Sequence, residues 1–587
     1  YKRQPIKGLS ISGIVSPFIN YQKKKAFKNS CGYTLPDDPE TFGGYFDSGS
    51  TWTTNSLTET RNDDYNVTSQ AIANYMGTFG SHNLTVMAGF ENYYMKSESL
   101  GAARDKYELT GYPYLNIGSE DFQTNSGTGS EYTSNSVFGR VIYSYADRYL
   151  FQANVRHDGS SRFAKGYRWG TFPSFSAGWV ASEEKFMKNL KWDWLSFLKL
   201  RGSWGMLGNE RIGSNYFPYI ALMSFGNSLF YMADGSVVSD KTARPAVLAV
   251  EDITWETTTS TDLGLDVNFL NNRLQFHFDY YWKETKDMLL NIEIPYFMGY
   301  NNPSTNAGKM STHGYDIEVA WNDQIGDFKY GVNVNFSDFL SKIDYMNDGE
   351  QISGGKIKRA GVLFNEFYGY VCEGIYQTQE EVNNSARTST TVTVGDLKYR
   401  DISGPDGVPD GVISPEYDRV PLGNSLPRFQ YGGSLNASYK GIDFSLAFQG
   451  IGKQNSYLST SMVQPLRDNY GNVPAILEGK YWSPFNTTEE NLAAKYPRLS
   501  NVSKSNNYAT SNFWMFNGSY FRLKNITLGY TLPKSWTQKA GINRARFYVS
   551  GSDLFCLSNF PSGWDPEMGT SDYPITTSLV MGIQVNF

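Results

Sequence analysis

The sequence is poor in the residues that bind metals or form disulfides. Its 587 residues include only three cysteines and four histidines. Cys31, Cys372 and Cys556 lie far apart, so they match neither a metal-ligand spacing nor a disulfide framework. The odd count leaves at least one thiol unpaired within the chain. The sequence does not decide whether the other two form a disulfide. The histidines are equally scattered, and none has a partner at metal-ligand spacing.

A basic excess, a long apolar run and a hydrolase nucleophile motif are also missing. The chain has 52 basic and 58 acidic residues, so no positive surplus is available to neutralise nucleic-acid phosphates. Without a run of about 18 apolar residues there is no transmembrane helix. No G-x-S-x-G elbow occurs, and we expect no enzymatic activity. The start, YKRQPIKGLS, lacks the pattern of a signal peptide, which indicates a mature or truncated chain.

Large apolar residues at every second position dominate what is present, as in LQFHFDYYWKETKDML (274–289). Such residues share one face of a strand, whereas a helix would scatter them. The run is about three times the usual strand of about 5–6 residues, whereas membrane-spanning strands need about 9–11. We predict that one face contacts lipid and the other a wet lumen. The apolar positions are Leu274, Phe276, Phe278, Tyr280 and Trp282, and the polar ones include Gln275, His277, Asp279 and Lys283.

The same alternation predicts about sixteen strands, each long enough to cross a tilted barrel wall. Short turns alternate with long polar loops, which is typical of outer-membrane barrels with periplasmic turns and extracellular loops. The predicted fold class is therefore an all-β, transmembrane antiparallel β-barrel. The strands are predicted near residues 6–23, 58–79, 83–99, 131–145, 148–158, 167–181, 197–208, 256–269, 273–287, 311–322, 328–341, 429–439, 442–453, 519–531, 544–556 and 575–587.

One link on the turn side is longer than a turn. Its sequence, SEEKFMKNLKWDWL (182–195), predicts a short helix with Ser182 as N-cap. Glu183 and Glu184 would then lie at the positive end of the helix dipole.

The last nine residues, LVMGIQVNF, predict a final strand that ends on an aromatic residue. A terminal aromatic that closes an alternating strand resembles the assembly signal of bacterial outer-membrane barrels. The alternative is an ordinary sheet strand that ends there. The apolar face of this strand carries Leu579, Met581, Ile583, Val585 and Phe587.

One acidic loop, DISGPDGVPDGVISPEYD (401–418), has a composition that suits Ca²⁺, which takes six to eight oxygen ligands in flexible loops. Pro405 occupies the third ligand position of the EF-hand spacing, and the next acid comes one place late. We therefore favour a cluster of Asp-Gly turns and keep a calcium site as a hypothesis. Its ligands would be Asp401, Ser403, Asp406, Asp410 and Glu416.

Aromatic residues crowd the predicted outer loops. Such rings stack on sugars or bury peptide side chains, but most of them should belong to loop packing or to the interfacial girdle. The aromatic stretches are 112–116, 215–232, 296–302, 364–370 and 512–520.

Six stretches, taken together, resemble the SusC/RagA class of TonB-dependent outer-membrane transporters. They are RHDGSSRFAKGYRWGTFPSFSAGWVASEEKF (156–186), LKLRGSWGMLGN (198–209), ITWETTTSTDLGLDVNFLNNRLQFHFDYYWKETKDML (253–289), GDLKYRDISG (395–404), DRVPLGNSLPRFQYGGSLN (418–436) and FRLKNITLGYTLP (521–533).

The resemblance implies a 22-stranded barrel closed by an N-terminal plug and covered by a SusD-like surface lipoprotein as a lid. It implies energy from TonB, an oligosaccharide or peptide cargo, and a dimer of transporter–lid pairs. Neither a plug-like region nor a TonB box is found. We therefore expect residues 1–587 to be the later strands, with the plug and about six early strands absent or on another chain.

Two other functions stay open. Porins use about 16–18 strands, so a passive sixteen-stranded pore fits the strand count. A surface adhesin or a soluble array of sandwiches is the second alternative, which the long strands and their unbroken apolar faces disfavour. The cargo itself is not identified, because specificity lies in loop geometry and in the lid.

Overall fold

The structure is a computed structural model. Residue 6 of the first predicted strand, Asn215 of a predicted aromatic stretch and parts of the predicted loops lie outside the described residues. The described residues are 2–3, 7–35, 37–45, 54–190, 192–213, 216–347, 349–458, 464, 466, 473, 475–500, 502–569, 573 and 575–587.

The chain is nearly all β. Its strands are β1 Lys2–Arg3, β2 Leu9–Lys28, β3 Gly32–Leu35, β4 Asp38–Tyr45, β5 Ser56–Phe79, β6 His82–Asp105, β7 Gln123–Tyr145, β8 Tyr149–Ser160, β9 Trp169–Val180, β10 Leu195–Asn209, β11 Met223–Tyr231, β12 Val237–Pro245, β13 Glu256–Phe269, β14 Leu274–Asn291, β15 Ser304–Ile325, β16 Phe328–Met346, β17 Glu350–Ser353, β18 Lys356–Arg359, β19 Glu366–Tyr370, β20 Cys372–Ile375, β21 Leu397–Tyr399, β22 Arg419–Asn424, β23 Arg428–Tyr439, β24 Ile442–Lys453, β25 Asn455–Tyr457, β26 Met515–Asn517, β27 Tyr520–Thr531, β28 Arg544–Ser558 and β29 Ser578–Asn586.

The α-helices among the described residues have only four or five residues each. They are α1 Lys185–Asn189, α2 Gln379–Asn383, α3 Thr488–Leu492, α4 Lys504–Asn507 and α5 Lys534–Thr537. In the described part of the chain, no helix has the length and apolar character needed to cross a membrane.

The sixteen predicted long strands are confirmed, and several are longer than predicted. For example, β7 begins at Gln123 rather than near residue 131, and Gln123 pairs with Arg104 of β6. The extra residues, QTNSGTGS, have no apolar alternation. They are strand because the neighbouring strand offers a continuous ladder of backbone hydrogen bonds, which needs no particular side-chain pattern.

The chain divides into two compact units. Unit 1 comprises Tyr1–Ser176, Gly205–Thr257 and Leu289–Asn306. In it, β2, β5, β6, β7 and β8 pair in this order as an antiparallel meander. A small aromatic and aliphatic core lies where its loops meet, and consists of Phe163, Phe172, Ile212, Ile253 and Trp255.

Unit 2 comprises Ala177–Trp204, Thr258–Met288 and Ala307–Phe587. In it, β15, β16, β23, β24, β27, β28 and β29 form a second antiparallel meander. The segment between β16 and β23 adds a four-stranded sheet of β17, β18, β19 and β22 and a two-stranded sheet of β20 and β21. The polar loop composition of that segment did not predict these short strands.

The short turns use residues that tolerate the left-handed region. Asn271 and Asn272 between β13 and β14 have φ of 58° and 64°, a conformation that asparagine adopts more readily than most residues. Gly441 between β23 and β24 has a φ of 89°, and a Cβ there would lie 2.7 Å from the Thr531 carbonyl oxygen. Glycine is required at that position for both reasons.

The link between β9 and β10 is helical, but the predicted N-cap is wrong. Ser182 lies inside a 3-10 turn, and its buried hydroxyl has no hydrogen-bond partner among the described residues. Helix α1 begins after Glu184, whose side chain does not cap it. The Glu184 carboxylate instead accepts a 3.2 Å hydrogen bond from Trp179 Nε1, which fixes the link to the end of β9.

Candidate functional site

The polar faces of β10, β13 and β14 carry a network of charged side chains. Arg201 donates to Asp266 at 3.1 Å and to Asp279 at 2.7 Å. His277 Nδ1 lies 3.0 Å from Asp266 Oδ1, and the Lys199 amine lies 3.6 Å from the same carboxylate. Two residues predicted for the wet face, His277 and Asp279, therefore belong to one hydrogen-bonded cluster.

The opposite face of the same strands is apolar and partly open, although Val267 of β13 is buried. Leu200, Leu263 and Trp282 are 45%, 53% and 44% exposed. Large apolar side chains left open in such numbers mark a surface that contacts an apolar environment. Within residues 274–282, Trp282 is exposed and the other apolar positions are half-buried, while His277 and Asp279 lie in the hydrogen-bonded cluster, so the predicted period of two separates an apolar face from a polar one.

A second polar cluster lies in unit 1. The Arg156 guanidinium donates to Glu91 at 2.8 Å, to Asp158 at 2.6 Å and to Ser136 Oγ at 2.7 Å. Gln70 Nε2 donates to the other Glu91 oxygen at 2.5 Å. The cluster joins β5, β6, β7 and β8 across their polar face and leaves the arginine charge fully compensated.

An aromatic and cationic cluster lies at the loop end of β7. The guanidinium of Arg162 lies 5.3 Å from the ring centre of Tyr132 and 4.4 Å from that of Tyr216. The Tyr132 hydroxyl donates a hydrogen bond to Glu210. Flat rings beside a cation and a carboxylate offer stacking and hydrogen bonding to a polar oligomer.

In unit 2, the loop after β28 is fixed to the polar face of β27 by a buried ion pair. Arg522 donates to both Asp565 oxygens, at 2.7 and 2.6 Å, and its Nε donates to Glu567. Gln449 Nε2 donates to the second Glu567 oxygen at 3.1 Å. Because the Arg522 side chain is only 4% exposed, its charge depends on these two carboxylates.

Two outer segments of unit 2, between β16 and β23 and between β24 and β27, pack into one module around Asp396. Its carboxylate is fully buried and accepts from Arg498 Nε at 2.7 Å, Ser503 Oγ at 2.8 Å and Asn507 Nδ2 at 2.9 Å. We name this set the Asp396 network. The indole of the fully buried Trp514 donates to the Asn507 carbonyl at 2.7 Å.

Burial in this module changes the titration of two side chains. It raises the pKa of Tyr376 to about 12 and that of the Cys372 thiol to about 11. Cys31, Cys372 and Cys556 are all free thiols in the structure. The disulfide that the sequence allowed between two of them is therefore absent from the structure.

The acidic loop 401–418 is organised by Asp418, which the sequence did not single out. Its fully buried carboxylate accepts the backbone N–H groups of Ile402 at 2.7 Å, Ser403 at 3.2 Å and Ser414 at 2.7 Å. Aspartate commonly organises turns in this way, by accepting nearby backbone N–H groups.

The predicted calcium ligands are spread around this loop. Asp401 accepts the Gly411 N–H at 2.7 Å, Asp410 accepts the Val412 N–H at 2.9 Å, and Asp406 and Glu416 are exposed. Among the described residues, no group of three or more acidic, histidine or cysteine side chains could hold a metal ion. Calcium binding at Asp401, Ser403, Asp406, Asp410 and Glu416 stays an untested prediction.

The aromatic stretches divide into packed and open residues. Tyr370 and Trp514 are buried in the outer module, which confirms loop packing for their stretches. In the long loops of unit 1, by contrast, five aromatic side chains are 63% to 88% exposed: Tyr112, Tyr114, Phe225, Tyr231 and Phe297.

The last strand, β29, pairs with β28 and leaves its apolar face open. On its other face only Gly582 is partly covered, since a Cβ there would lie 2.4 Å from the ring of Tyr548, and Val580 is 50% exposed. Phe587 is 86% exposed and lies one residue beyond the strand. The five signal residues, Leu579, Met581, Ile583, Val585 and Phe587, thus share one open face.

The sequence reasoning missed the charged networks, although part of the signal was present. Arg201 and Asp266 alternate with apolar residues within their strands, so their place on the polar face was readable. Asp396 and Arg498, 102 residues apart, have no local pattern that links them.

Comparison with known proteins identifies the family. A family described as TonB dependent receptor-like, beta-barrel matches residues 18–550. The TonB-dependent receptor P3 of Formosa agariphila is 30% identical over 560 residues, which cover 89% of this chain and 52% of that protein. The TonB-dependent receptor SusC of Bacteroides thetaiotaomicron is 28% identical over 538 residues, which cover 89% of this chain and 50% of that protein.

The fold is also that of solved structures. A structure of the RagAB peptide transporter matches with a TM-score of 0.78 at 24% identity, over 100% of this chain and 61% of that chain. The chain spans about half the length of the curated relatives it matches. It belongs to the TonB-dependent receptor-like β-barrel family, is similar in sequence to SusC and in fold to RagAB, and is an outer-membrane protein.

Proposed function

We propose that the intact protein imports an oligosaccharide or an oligopeptide across the outer membrane, driven by TonB and assisted by a SusD-like lipoprotein lid. The observation that carries the proposal is the polar face. The Arg156 cluster of unit 1 and the Arg201 cluster of unit 2 each satisfy their charges by hydrogen bonds, so the polar face of either unit can line a wet path without unpaired buried ions. The apolar face of the same strands contacts lipid.

The exposed aromatic residues of unit 1 support an oligomeric cargo. Tyr112, Phe225, Tyr231 and Phe297 present open rings on long loops. Rings of this kind stack on sugars and also bury peptide side chains, so they fit both cargo classes. The similar RagAB protein is a peptide transporter, which supports including peptides among the cargoes tested.

Family membership favours import over the passive porin and over the adhesin. A passive pore needs no coupling to TonB and no lid. The two hypotheses therefore differ in what happens when either partner is removed, because import depends on TonB and is assisted by the lid, whereas a passive pore needs neither.

The experiment is uptake by cells that carry the full-length gene, with labelled glycan and peptide libraries as cargo. Uptake should disappear when TonB is deleted and fall when the neighbouring SusD-like gene is deleted. Phe297→Ala should reduce uptake, whereas Tyr439→Ala, an exposed ring at the turn end, should not. Uptake that persists without TonB would contradict the proposal and support the passive pore.

A further inference from the structure

A cavity lies in unit 2, where the four-stranded outer sheet meets the loop ends of the long strands. It is bounded by β19 and β22 of that sheet, the ends of β16 and β24 and the start of β23. Its volume is about 350 Å³, at the lower end of the range of about 300–1,000 Å³ that small-molecule sites occupy. The cavity therefore has room for a small part of a larger cargo, and the import proposal does not use it.

Most of the cavity wall is aliphatic. Four half-buried leucines line it: Leu340, Leu363, Leu422 and Leu426. Among the described lining residues, Phe339 is the only aromatic one. Flat aromatic faces stack on a sugar ring, whereas branched aliphatic walls bury an aliphatic side chain. The wall therefore favours an apolar peptide side chain over a sugar.

Hydrogen bonds between the sheet and its links hold the cavity in this shape. The Asn424 amide donates to the Phe364 carbonyl at 2.8 Å, and its side-chain oxygen accepts the Leu426 N–H at 2.6 Å. The Phe364 N–H in turn donates to the Ser341 carbonyl of β16 at 2.9 Å. These contacts join β22, the link before β19 and the end of β16, so a ligand would enter a site that is already formed.

Two charged groups of the cavity have no ion-pair partner among the described residues. Glu366 is half-buried, and its carboxylate accepts the Leu363 N–H at 3.2 Å. Lys453 is exposed and lies directly opposite Arg428 in the β23–β24 ladder. The charge of Arg428 is compensated by Asp338, to which its Nη2 donates at 2.5 Å, whereas the charge of Lys453 is not. The cavity thus offers one accepting carboxylate and one donating amine beside an apolar wall.

We propose that this cavity binds the amino-terminal residue of a peptide cargo when that residue has an apolar side chain. The inference rests on the proposed import function and narrows its cargo to peptides. The half-buried Glu366 carboxylate accepts hydrogen bonds from the terminal ammonium, and the four leucines bury the side chain. The exposed Lys453 amine donates to the first peptide carbonyl. A neutral sugar has no charge that complements either group.

The test measures the binding of fluorescent peptides to the purified full-length transporter in detergent. The reference peptide begins with leucine, has a free amino terminus and carries its fluorophore at the carboxyl end. Two altered peptides are acetylated at the amino terminus or begin with aspartate. Glu366→Gln removes the charge but keeps an oxygen for the Leu363 N–H. Glu350→Gln is the matched control, because Glu350 is exposed in β17 of the same sheet and pairs with Arg359.

We expect acetylation and Glu366→Gln each to weaken binding about tenfold or more, because each removes one charge from the pair of ammonium and carboxylate. The peptide that begins with aspartate should bind as weakly, because it places a second carboxylate among the leucines. Glu350→Gln should leave the affinity unchanged. Equal affinity for the free and acetylated peptides, or for the unaltered protein and Glu366→Gln, would overturn the proposal, as would failure of the reference peptide to bind.

Uptake by cells reports separately on import. TonB-dependent uptake of glycans alone would overturn the role of the cavity and leave the import function intact. Loss of TonB dependence would contradict import without changing the binding result.

Discussion

At the scale of single residues, environment rather than residue type decides what a side chain does. His277 and Phe278 are neighbours in β14, yet His277 bonds to Asp266 on the polar face and Phe278 lies on the apolar face. Arg201 and Leu200 are likewise neighbours in β10, with Arg201 on the polar face and Leu200 on the apolar face. One step along a strand therefore changes the solvent that a side chain meets.

Phe278→Arg should destabilise the barrel, because it places a charge on the lipid face. The expected loss is about 2–4 kcal/mol if the position lies near the bilayer midplane. His277→Arg is the matched control and should be tolerated, because an arginine there can still pair with Asp266. Urea-driven unfolding from lipid vesicles measures both, and equal stability of the two variants would refute the assignment of faces.

Removing Phe587 should slow assembly more than it weakens the assembled barrel. The ring lies one residue beyond β29 and is almost fully open, so burial contributes little to its role. As the proposed assembly signal, β29 of an unassembled chain would offer its edge and alternate side chains to the assembly machinery. Pulse-chase insertion kinetics, with melting of the inserted fraction, measure the two effects separately. Normal insertion with a lowered melting temperature would contradict recognition.

At the scale of elements, the long strands could be predicted from sequence and the outer segments could not. Alternation predicted all sixteen long strands, because a strand with one apolar and one polar face must repeat every second residue. The hairpin of β11 and β12 and the sheet of β17, β18, β19 and β22 have no such constraint. The β11–β12 and β17–β18 hairpins join neighbouring segments, whereas β19 pairs with β22, about 55 residues away, which short-range patterns do not record.

The loop 401–418 shows the same limit at a candidate site. Its acidic residues and glycines are evident in the sequence, which predicted a cluster of turns. The sequence did not predict that Asp418 is the organising carboxylate, because that role depends on which backbone N–H groups the folded loop brings to it.

Asp418→Asn should loosen this loop, because an amide oxygen replaces a buried carboxylate that accepts three backbone N–H groups. The expected cost is about 1.5–3 kcal/mol, the usual worth of a hydrogen bond to a charged group. Asp406→Asn changes an exposed residue in the same loop and should cost almost nothing. Hydrogen exchange of the Ile402 and Ser414 amides measures the effect. Equal protection of these amides in both variants would be evidence that Asp418 does not hold the loop in place.

Arg522→Met should release the loop after β28. Arg522 is the only arginine that contacts Asp565 and Glu567 in the described structure. The substitution therefore leaves these two carboxylates without their arginine partner. Breaking a buried pair in this way costs about 3–5 kcal/mol. Limited proteolysis of intact cells should then cleave within residues 559–569, whereas Lys524→Met, which breaks the more exposed pair with Asp553, should not promote cleavage there. An unchanged digestion pattern would show that the Arg522 ion pairs do not hold this loop in place.

At the scale of the whole molecule, the separation of faces joins the fold to the proposed function. The apolar face suits the outer membrane, in which the family is found. The polar face compensates its charges internally, which suits the hydrated path of the proposed function. The family and the two faces could be predicted from sequence alone, whereas the cargo depends on loop geometry and on the proposed lid.

The most direct test of the central claim is cysteine labelling along β14 in intact outer membranes of cells that carry the full-length protein. Cysteines at Gln275, His277 and Lys283 should react with a water-soluble maleimide and become slower to react when cargo is present. Cysteines at Phe276 and Phe278 should react only with a lipid-soluble reagent. Labelling without a period of two, or labelling of the polar positions that cargo leaves unchanged, would contradict a lipid-embedded wall with a wet transport face.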